Sequence, residues 1–295
     1  MTEYALGFMR ELGFDGDAID SLCSDIQKIY ANDAAKELFS GAISEYESNI
    51  HADYTALRER ADAAGDLVGV HPYSAELLLF ICYSKHLRTL YREQGISGRI
   101  WYDSMSDLKW KLWECKKVKG IWGSFVAGWF PRFFNMTRFA LGRLQFEIVA
   151  FKGEYQKDGK CLKDGDPVIN VHIPRTLTPL DKESRENAYA QAKAFFSDKT
   201  EGAPMAFVCS SWLLFPKTRG ILPEHSNIRG FMSDYDIIRW KENEEGAYPD
   251  MWRLFDMDFT GDVNDYPEDS SLRRAFKKFL LEGNRAGSGY GVFFA

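Results

Sequence analysis

Paired cysteines, long apolar runs, internal repeats and an excess of positive charge are all missing from this chain, and each absence removes a class of function. The five cysteines, Cys23, Cys82, Cys115, Cys161 and Cys209, are odd in number and scattered, so they read as reduced thiols and not as a disulfide frame or a zinc site. No stretch reaches the roughly 18 uninterrupted apolar residues that a membrane helix needs. The opening MTEYALGFMRELGFDGDA lacks the apolar core of a secretory signal, and a cytoplasmic protein is therefore expected. The 37 basic residues against 43 acidic ones leave a net charge of −6, and nothing global favours nucleic acid. The glycine-rich tail, GNRAGSGYGVFFA, reads as flexible. With neither a strand before it nor a helix after it, it is not a dinucleotide fingerprint.

What is present describes a folded protein. Hydrophobic residues make up 45% and aromatics 15%, and 295 residues allow two domains. The first 120 or so residues look helical. Ile19, Leu22, Ile26 and Ile29 recur at helical spacing over Asp17 to Ala31, and Asp33 is placed to cap a second helix carrying Leu38, Phe39, Ile43 and Tyr46. Pro72 opens the strongest helix, which runs to Gly95, and a further helix is expected from Ser104 to about Lys119. This half gathers no catalytic residue types, and His51, His71 and His86 lie far apart, so its reading is packing or substrate selection. Between Lys109 and Arg143 the charge inverts, and lysines and arginines alternate with Trp110, Trp113, Trp122 and Trp129. The plain reading is a solvated helix face before a buried strand; the sharper one is a receiver for a phosphorylated ligand.

The second half is organised around Phe133 to Pro216. FFNMTRFALGRLQFEIVAF reads as one long strand, a polar loop follows, and Val168-Ile-Asn-Val-His172-Ile-Pro174 is the next strand. Thr178-Pro179-Leu180-Asp181 reads as a helix start with Thr178 as the N-cap, leading to a helix that ends near Phe196. Strands are expected at Met205 to Phe215, Asp236 to Trp240 and Met251 to Phe255, with a short helix between the first two and a last helix over Ser271 to Glu282. Asp256-Met-Asp258-Phe-Thr260-Gly261 matches half of a calcium loop, but its twelfth position is Pro267, so it reads as an acidic turn, and no metal is expected.

The order of strands and helices in this half resembles that of the GNAT-like acyltransferase fold. The phrases LGRLQFE (Leu141 to Glu147), VHIP (Val171 to Pro174), CSSWLLFP (Cys209 to Pro216), SNI (Ser226 to Ile228) and DSSLRR (Asp269 to Arg274) resemble those of a bacterial acyltransferase family. That family joins an N-terminal helical N-acyltransferase domain to a GNAT-like C-terminal domain. The resemblance implies an α/β (α+β) protein with a mixed central sheet flanked by helices. An all-helical domain over 1–125 would precede a GNAT-like domain over 126–295. It also implies acetyl-CoA or another acyl-CoA as co-substrate and a small-molecule or peptide amine as acceptor, with no role for nucleic acid or membrane.

In such a fold the pantetheine lies in a splay between the strands at Val168 to Ile173 and Met205 to Phe215. The pyrophosphate sits on N–H groups at the next helix start, which here means Ile173, Arg175, Thr176, Leu177 and Thr178. The family's glycine-rich loop is absent at these positions, and Pro179 removes an N–H. Transfer to an amine needs a base, for which His172 suits in type and place, while Glu147 is either a base or a partner of Arg143. The resemblance carries an acid to Tyr235. Asn227 is either a substrate contact or part of a helix cap with His225 and Ser226. Cys209 and Ser211 offer a covalent alternative, a hydrolase or thioester-handling enzyme. The remaining alternative is a non-catalytic binding protein on the same fold.

Overall fold

Capping residues divide the first half into helices. The computed structural model describes residues 1–200 and 204–295. Its chain separates into two compact units, residues 1–139 and 140–295. The first unit carries α1 (Thr2–Leu12), α2 (Gly16–Ala31), α3 (Asp33–Ser48), α4 (Tyr54–Asp66), α5 (Pro72–Glu93), α6 (Gly98–Lys119) and the single turn α7 (Pro131–Phe134). Asn32, and not Asp33, caps α3 by accepting from the Ala35 N–H. Asp53 caps α4 and His71 caps α5 just before Pro72. Ser97 caps α6, so that helix begins six residues before the expected Ser104. Every residue from Leu77 to Ser84 on α5 is buried, as a helix enclosed by others requires. Around it Tyr46 and Tyr83 stack with ring centroids 4.1 Å apart, and Phe80 packs on Phe130 and Phe134. His86 meets the edge of Tyr46, so His71 and His86 serve the helices themselves.

The basic and aromatic run is built of local pairs. The Lys109 ammonium lies over Trp110, Lys116 over Trp122 and Lys117 over Trp113, at 4.7 to 5.3 Å from the ring centroids. Lys111 is buried against Glu114 at 2.8 Å. No helix among the described residues is long and apolar enough to cross a membrane.

The second half is a six-stranded sheet, in the order β1-β2-β5-β6-β8-β7, with a separate β3–β4 hairpin. Its strands are β1 (Arg138–Leu141), β2 (Leu144–Ala150), β3 (Tyr155–Lys157), β4 (Lys160–Leu162), β5 (Pro167–His172), β6 (Ala206–Ser211), β7 (Asp236–Glu242) and β8 (Gly287–Phe294). The helices are α8 (Lys182–Phe195), α9 (Asn227–Ser233), the turn α10 (Trp252–Phe255) and α11 (Ser271–Leu281). β5 and β6 are parallel, while the β2–β5, β6–β8 and β7–β8 pairs are antiparallel. The parallel pair is joined across α8, the crossover such strands need. On one face of the sheet Phe146, Phe207 and Phe293 pack against Tyr189 of α8, and Phe293 against Tyr235. On the other face Phe151, Leu162, Val168, Ala206, Val208 and Val292 form a buried cluster, with Tyr155 and Phe294 beside it.

Several expected elements differ. The single strand through Phe151 is a hairpin, with a turn at Gly142 and Arg143 between β1 and β2. The polar loop contains β3 and β4, joined at Asp158-Gly159, where both φ angles are positive, as a tight two-residue hairpin requires. The strand expected to end at Phe215 stops at Ser211, where a 3-10 turn over Trp212–Leu214 begins. Met251 to Phe255 is a helical turn closed by Asp256 in the left-handed region, not a strand. α8 starts at Lys182 with Asp181 as the N-cap, three residues after the expected Thr178. The Asp181 carboxylate accepts from the Ser184 N–H, which Thr178 cannot reach.

The largest departure is the tail. It is β8, lying between β6 and β7. Its alternate glycines share one side, and a Cβ there would strike a neighbour. At Gly289 it would lie 2.1 Å from the Leu214 carbonyl oxygen, and at Gly291 2.7 Å from Tyr235 Cβ. The glycines make room for backbone and ring, and flexibility is not their purpose.

Candidate active site

The parallel ladder is short. β5 and β6 pair at Ile169–Phe207 and Asn170–Val208, and the ladder ends there although β5 runs on to His172 and β6 to Ser211. Beside this end, β2 pairs with β5 so that Glu147 stands opposite Asn170 and Gln145 opposite His172. Alternation along a strand then puts Glu147, Asn170 and His172 on one face. Their side chains meet. His172 Nε2 is 2.6 Å from Glu147 Oε1, and Asn170 Nδ2 is 3.3 Å from the same oxygen and 3.1 Å from Nε2. The Glu147 side chain is 4% exposed and that of His172 19%, so a buried carboxylate backs an imidazole that still reaches the surface. With Glu147 ionised, Nε2–H and the Asn170 amide both donate to it. Glu147 therefore pairs with His172, and no pairing of Glu147 with Arg143 occurs among the described residues. The Arg143 guanidinium donates instead to the Pro174 and Thr178 carbonyls, each at 3.0 Å.

Asn170 was not singled out by the sequence reading. Its signal is the spacing Asn170-x-His172, which on a strand places both side chains on the same face.

The other expected residues are divided between site and scaffold. Ile173 continues β5 into the loop that holds Arg175, Thr176, Leu177 and Thr178. Thr176 and Thr178 bond to each other through their hydroxyls at 2.8 Å, and Leu177 is 85% exposed at the loop tip. Arg175 does not stand open to a ligand: its guanidinium forks onto the Asp256 carboxylate, which also accepts from Arg273. The same contacts occupy the first residue of the calcium-like turn. No group of three or more His, Cys, Asp or Glu placed to hold a metal occurs among the described residues. Asn227 is exposed on the first turn of α9, behind a Ser226 cap that accepts from the Arg229 N–H.

Tyr235 is buried on the opposite face from His172, with its hydroxyl 3.4 Å from that of Tyr189 and its ring on Phe231 and Phe293. Burial pushes its phenol well above the usual range, so it keeps its proton. The structure does not bring it to the pair. Ser211 accepts from the Leu213 N–H and so starts the turn after β6. Cys209 is fully buried on the Tyr235 face, and desolvation raises its thiol far above the range of a nucleophile. Neither lies with His172.

A strand pair that parts beside a His–Glu pair, on a mixed sheet after a helical unit, can be compared with known proteins. Residues 139–293 match the model of the GNAT-like C-terminal domain. The chain belongs to that family. Residues 4–136 match an N-acyltransferase N-terminal domain, so the helical unit has its own counterpart. An acyltransferase solved in complex with decanoyl-CoA and teicoplanin aligns over 98% of this chain and 87% of its own, at 20% identity and a TM-score of 0.75. An acyltransferase mutant solved with octanoyl-CoA aligns over 99% and 88%, at 20% identity and a TM-score of 0.75. A third, solved with CoA and 10C-teicoplanin, aligns over 98% and 87% at 18% identity and a TM-score of 0.74. At these identities the likeness is one of fold, and it covers both units of the GNAT-like chain. No curated protein matches the sequence.

Proposed function

We propose that this protein transfers an acyl group from acyl-CoA to an amine of a small molecule or peptide. The observation that carries the reading is the Glu147–His172–Asn170 cluster at the place where β5 and β6 part, within a GNAT-like domain. The solved acyltransferases that share the fold hold decanoyl-CoA or octanoyl-CoA, which supports acyl-CoA as the donor and chains longer than acetyl. In this mechanism the His172 imidazole takes the proton of the attacking amine. The nitrogen forms the new C–N bond at the thioester carbonyl, the C–S bond breaks, and the departing thiolate accepts the proton that His172 took. Glu147 fixes the tautomer by accepting from Nε2–H and stabilises the imidazolium as it forms, and Asn170 holds Glu147 in place. The donor's diphosphate is received by the loop from Ile173 to Thr178, with Asn227 as a further contact to the co-substrate. The five cysteines are unpaired, which supports a reducing, cytoplasmic setting.

A second reading has one observation in its favour. Arg175 is bound by Asp256, and the carboxylate of Asp181 already sits at the positive end of α8, so two of the usual anion receivers are taken. A binding protein that has kept the fold without turnover would look the same.

Calorimetry with octanoyl-CoA, followed by an amine screen with His172→Ala as control, separates the two. Micromolar binding with turnover that falls by about 10² to 10⁴ in the variant, while binding persists, supports the enzyme. Binding by both proteins with no turnover of any amine leaves the binding protein. No binding of octanoyl-CoA refutes the acyl-CoA reading and favours a binding protein for another ligand.

A further inference from the structure

Arg143 lies beneath the loop that follows β5, although its own place is the turn between β1 and β2. Its Nε donates to the Thr178 carbonyl and its Nη1 to the Pro174 carbonyl, each at 3.0 Å. Arg185 on α8 does the same for the Leu180 carbonyl at 2.9 Å. Three carbonyls of the segment 174–180 are thus held by two guanidinium groups. The Thr176 and Leu177 N–H groups donate to nothing among the described residues. The two arginines differ in one respect. Arg185 is neutralised by the Asp234 carboxylate at 2.6 Å. Arg143 has only carbonyl partners, and no carboxylate among the described residues pairs with it. Desolvation lowers its affinity for its own proton to about 10, with Asp181 the main opposing influence, yet the group stays charged at neutral pH. A half-buried cation whose hydrogen-bond partners are neutral carbonyls is only partly compensated, and the cost is offset when an anion arrives.

We infer that Arg143 is the positioning residue of the donor site, shaping the loop at 174–178 from below and supplying the positive charge that the diphosphate of the acyl-CoA meets. This takes over the work that glycines do elsewhere. A glycine-rich loop lets its N–H groups converge because the backbone bends freely, whereas this loop is bent by the pull of a guanidinium on two carbonyls. It also gives the occupied Arg175 and the capped α8 a counterpart, since the charge comes from Arg143 and not from Arg175 or the start of α8. The inference rests on the acyl-CoA reading given above.

Two probes with one acyl chain test it: octanoyl-CoA, and octanoyl-pantetheine, which lacks the diphosphate and nucleotide. Their dissociation constants are measured for the wild type, Arg143→Met, Arg143→Gln and Arg143→Lys. The expected result is a tenfold or larger loss of octanoyl-CoA affinity in Arg143→Met and Arg143→Gln, with octanoyl-pantetheine unchanged within twofold and Arg143→Lys recovering part of the loss. If the Met variant does not fold, the Gln and Lys variants decide by the same comparison. Equal losses for both probes would mean a merely structural role and overturn the inference, as would unchanged octanoyl-CoA affinity. If the wild type binds octanoyl-CoA through Arg143 but acylates no amine, the catalytic reading fails and this one stands. If the wild type binds neither probe, both fall.

Discussion

Replacing Glu147 by glutamine tests whether the buried carboxylate works through His172. The substitution keeps the length of the side chain and an oxygen for Nε2–H and the Asn170 amide, and it removes only the charge. A hydrogen bond to a charged group contributes about 1.5–3 kcal/mol. At 2.6 Å and 4% exposure the carboxylate is screened little by water, so about 2 kcal/mol is a fair figure for the lost stabilisation of the imidazolium. At one power of ten for each ~1.4 kcal/mol, kcat/KM for the acyl transfer should fall about thirtyfold. His172→Ala removes the base itself and should cost about a thousandfold, within the ordinary range for general-base catalysis. The decisive protein carries both changes. Glu147 has nothing to act on once the imidazole is gone, so the double variant should be no slower than His172→Ala alone. The assay is kcat/KM under saturating amine at neutral pH, with the octanoyl-CoA dissociation constant measured for each variant. A double variant slower than His172→Ala by the full thirtyfold would show that Glu147 acts independently, and the dyad would be refuted.

Two further outcomes follow from the scaffold. Gly289→Ala would place a methyl group 2.1 Å from the backbone oxygen of Leu214, which cannot swing away, and a loss of about 3 kcal/mol or more in urea denaturation is expected; wild-type stability would refute the account of β8. In the helical unit burial, opposed by Arg58 and aided by Asp62, raises the Glu76 carboxyl from 4.5 to about 7. A raised carboxyl favours folding while it is protonated, so this contribution is full below pH 4.5 and fades as the pH climbs through about 7. Melting wild type and Glu76→Gln side by side from pH 4 to 8 should show the wild type losing ground to the variant across that window; a pH-independent difference would be the contrary result.

How far these features were legible in the sequence depends on whether the signal is local. The helix from Pro72 was legible because proline, periodicity and the terminal glycine all lie within it, and so was β5, whose apolar run carries His172. Glu147 was legible as a residue but not as a partner. Its companion depends on the register of β2 against β5, and a shift of one residue would send it to the opposite face. The start of α8 was misplaced because Thr178-Pro179 and Asp181 both offer a local start, and only the bond from the Ser184 N–H decides between them. The tail was misread for a deeper reason. Glycine lowers strand propensity wherever the strand lies, so Gly287, Gly289 and Gly291 argue for flexibility as long as the neighbours are unknown. Once Leu214, Phe215 and Tyr235 are in place, the same glycines are what lets β8 reach its position. Arg143 is the functional counterpart of that case. As one basic residue in a run of them it carried no distinct signal, and its meaning came only when the loop from Pro174 to Thr178 folded over it and turned two carbonyls onto its guanidinium. A loop held by its carbonyls needs no glycine pattern of its own, so a motif search along the chain carries no signal of the role proposed for Arg143.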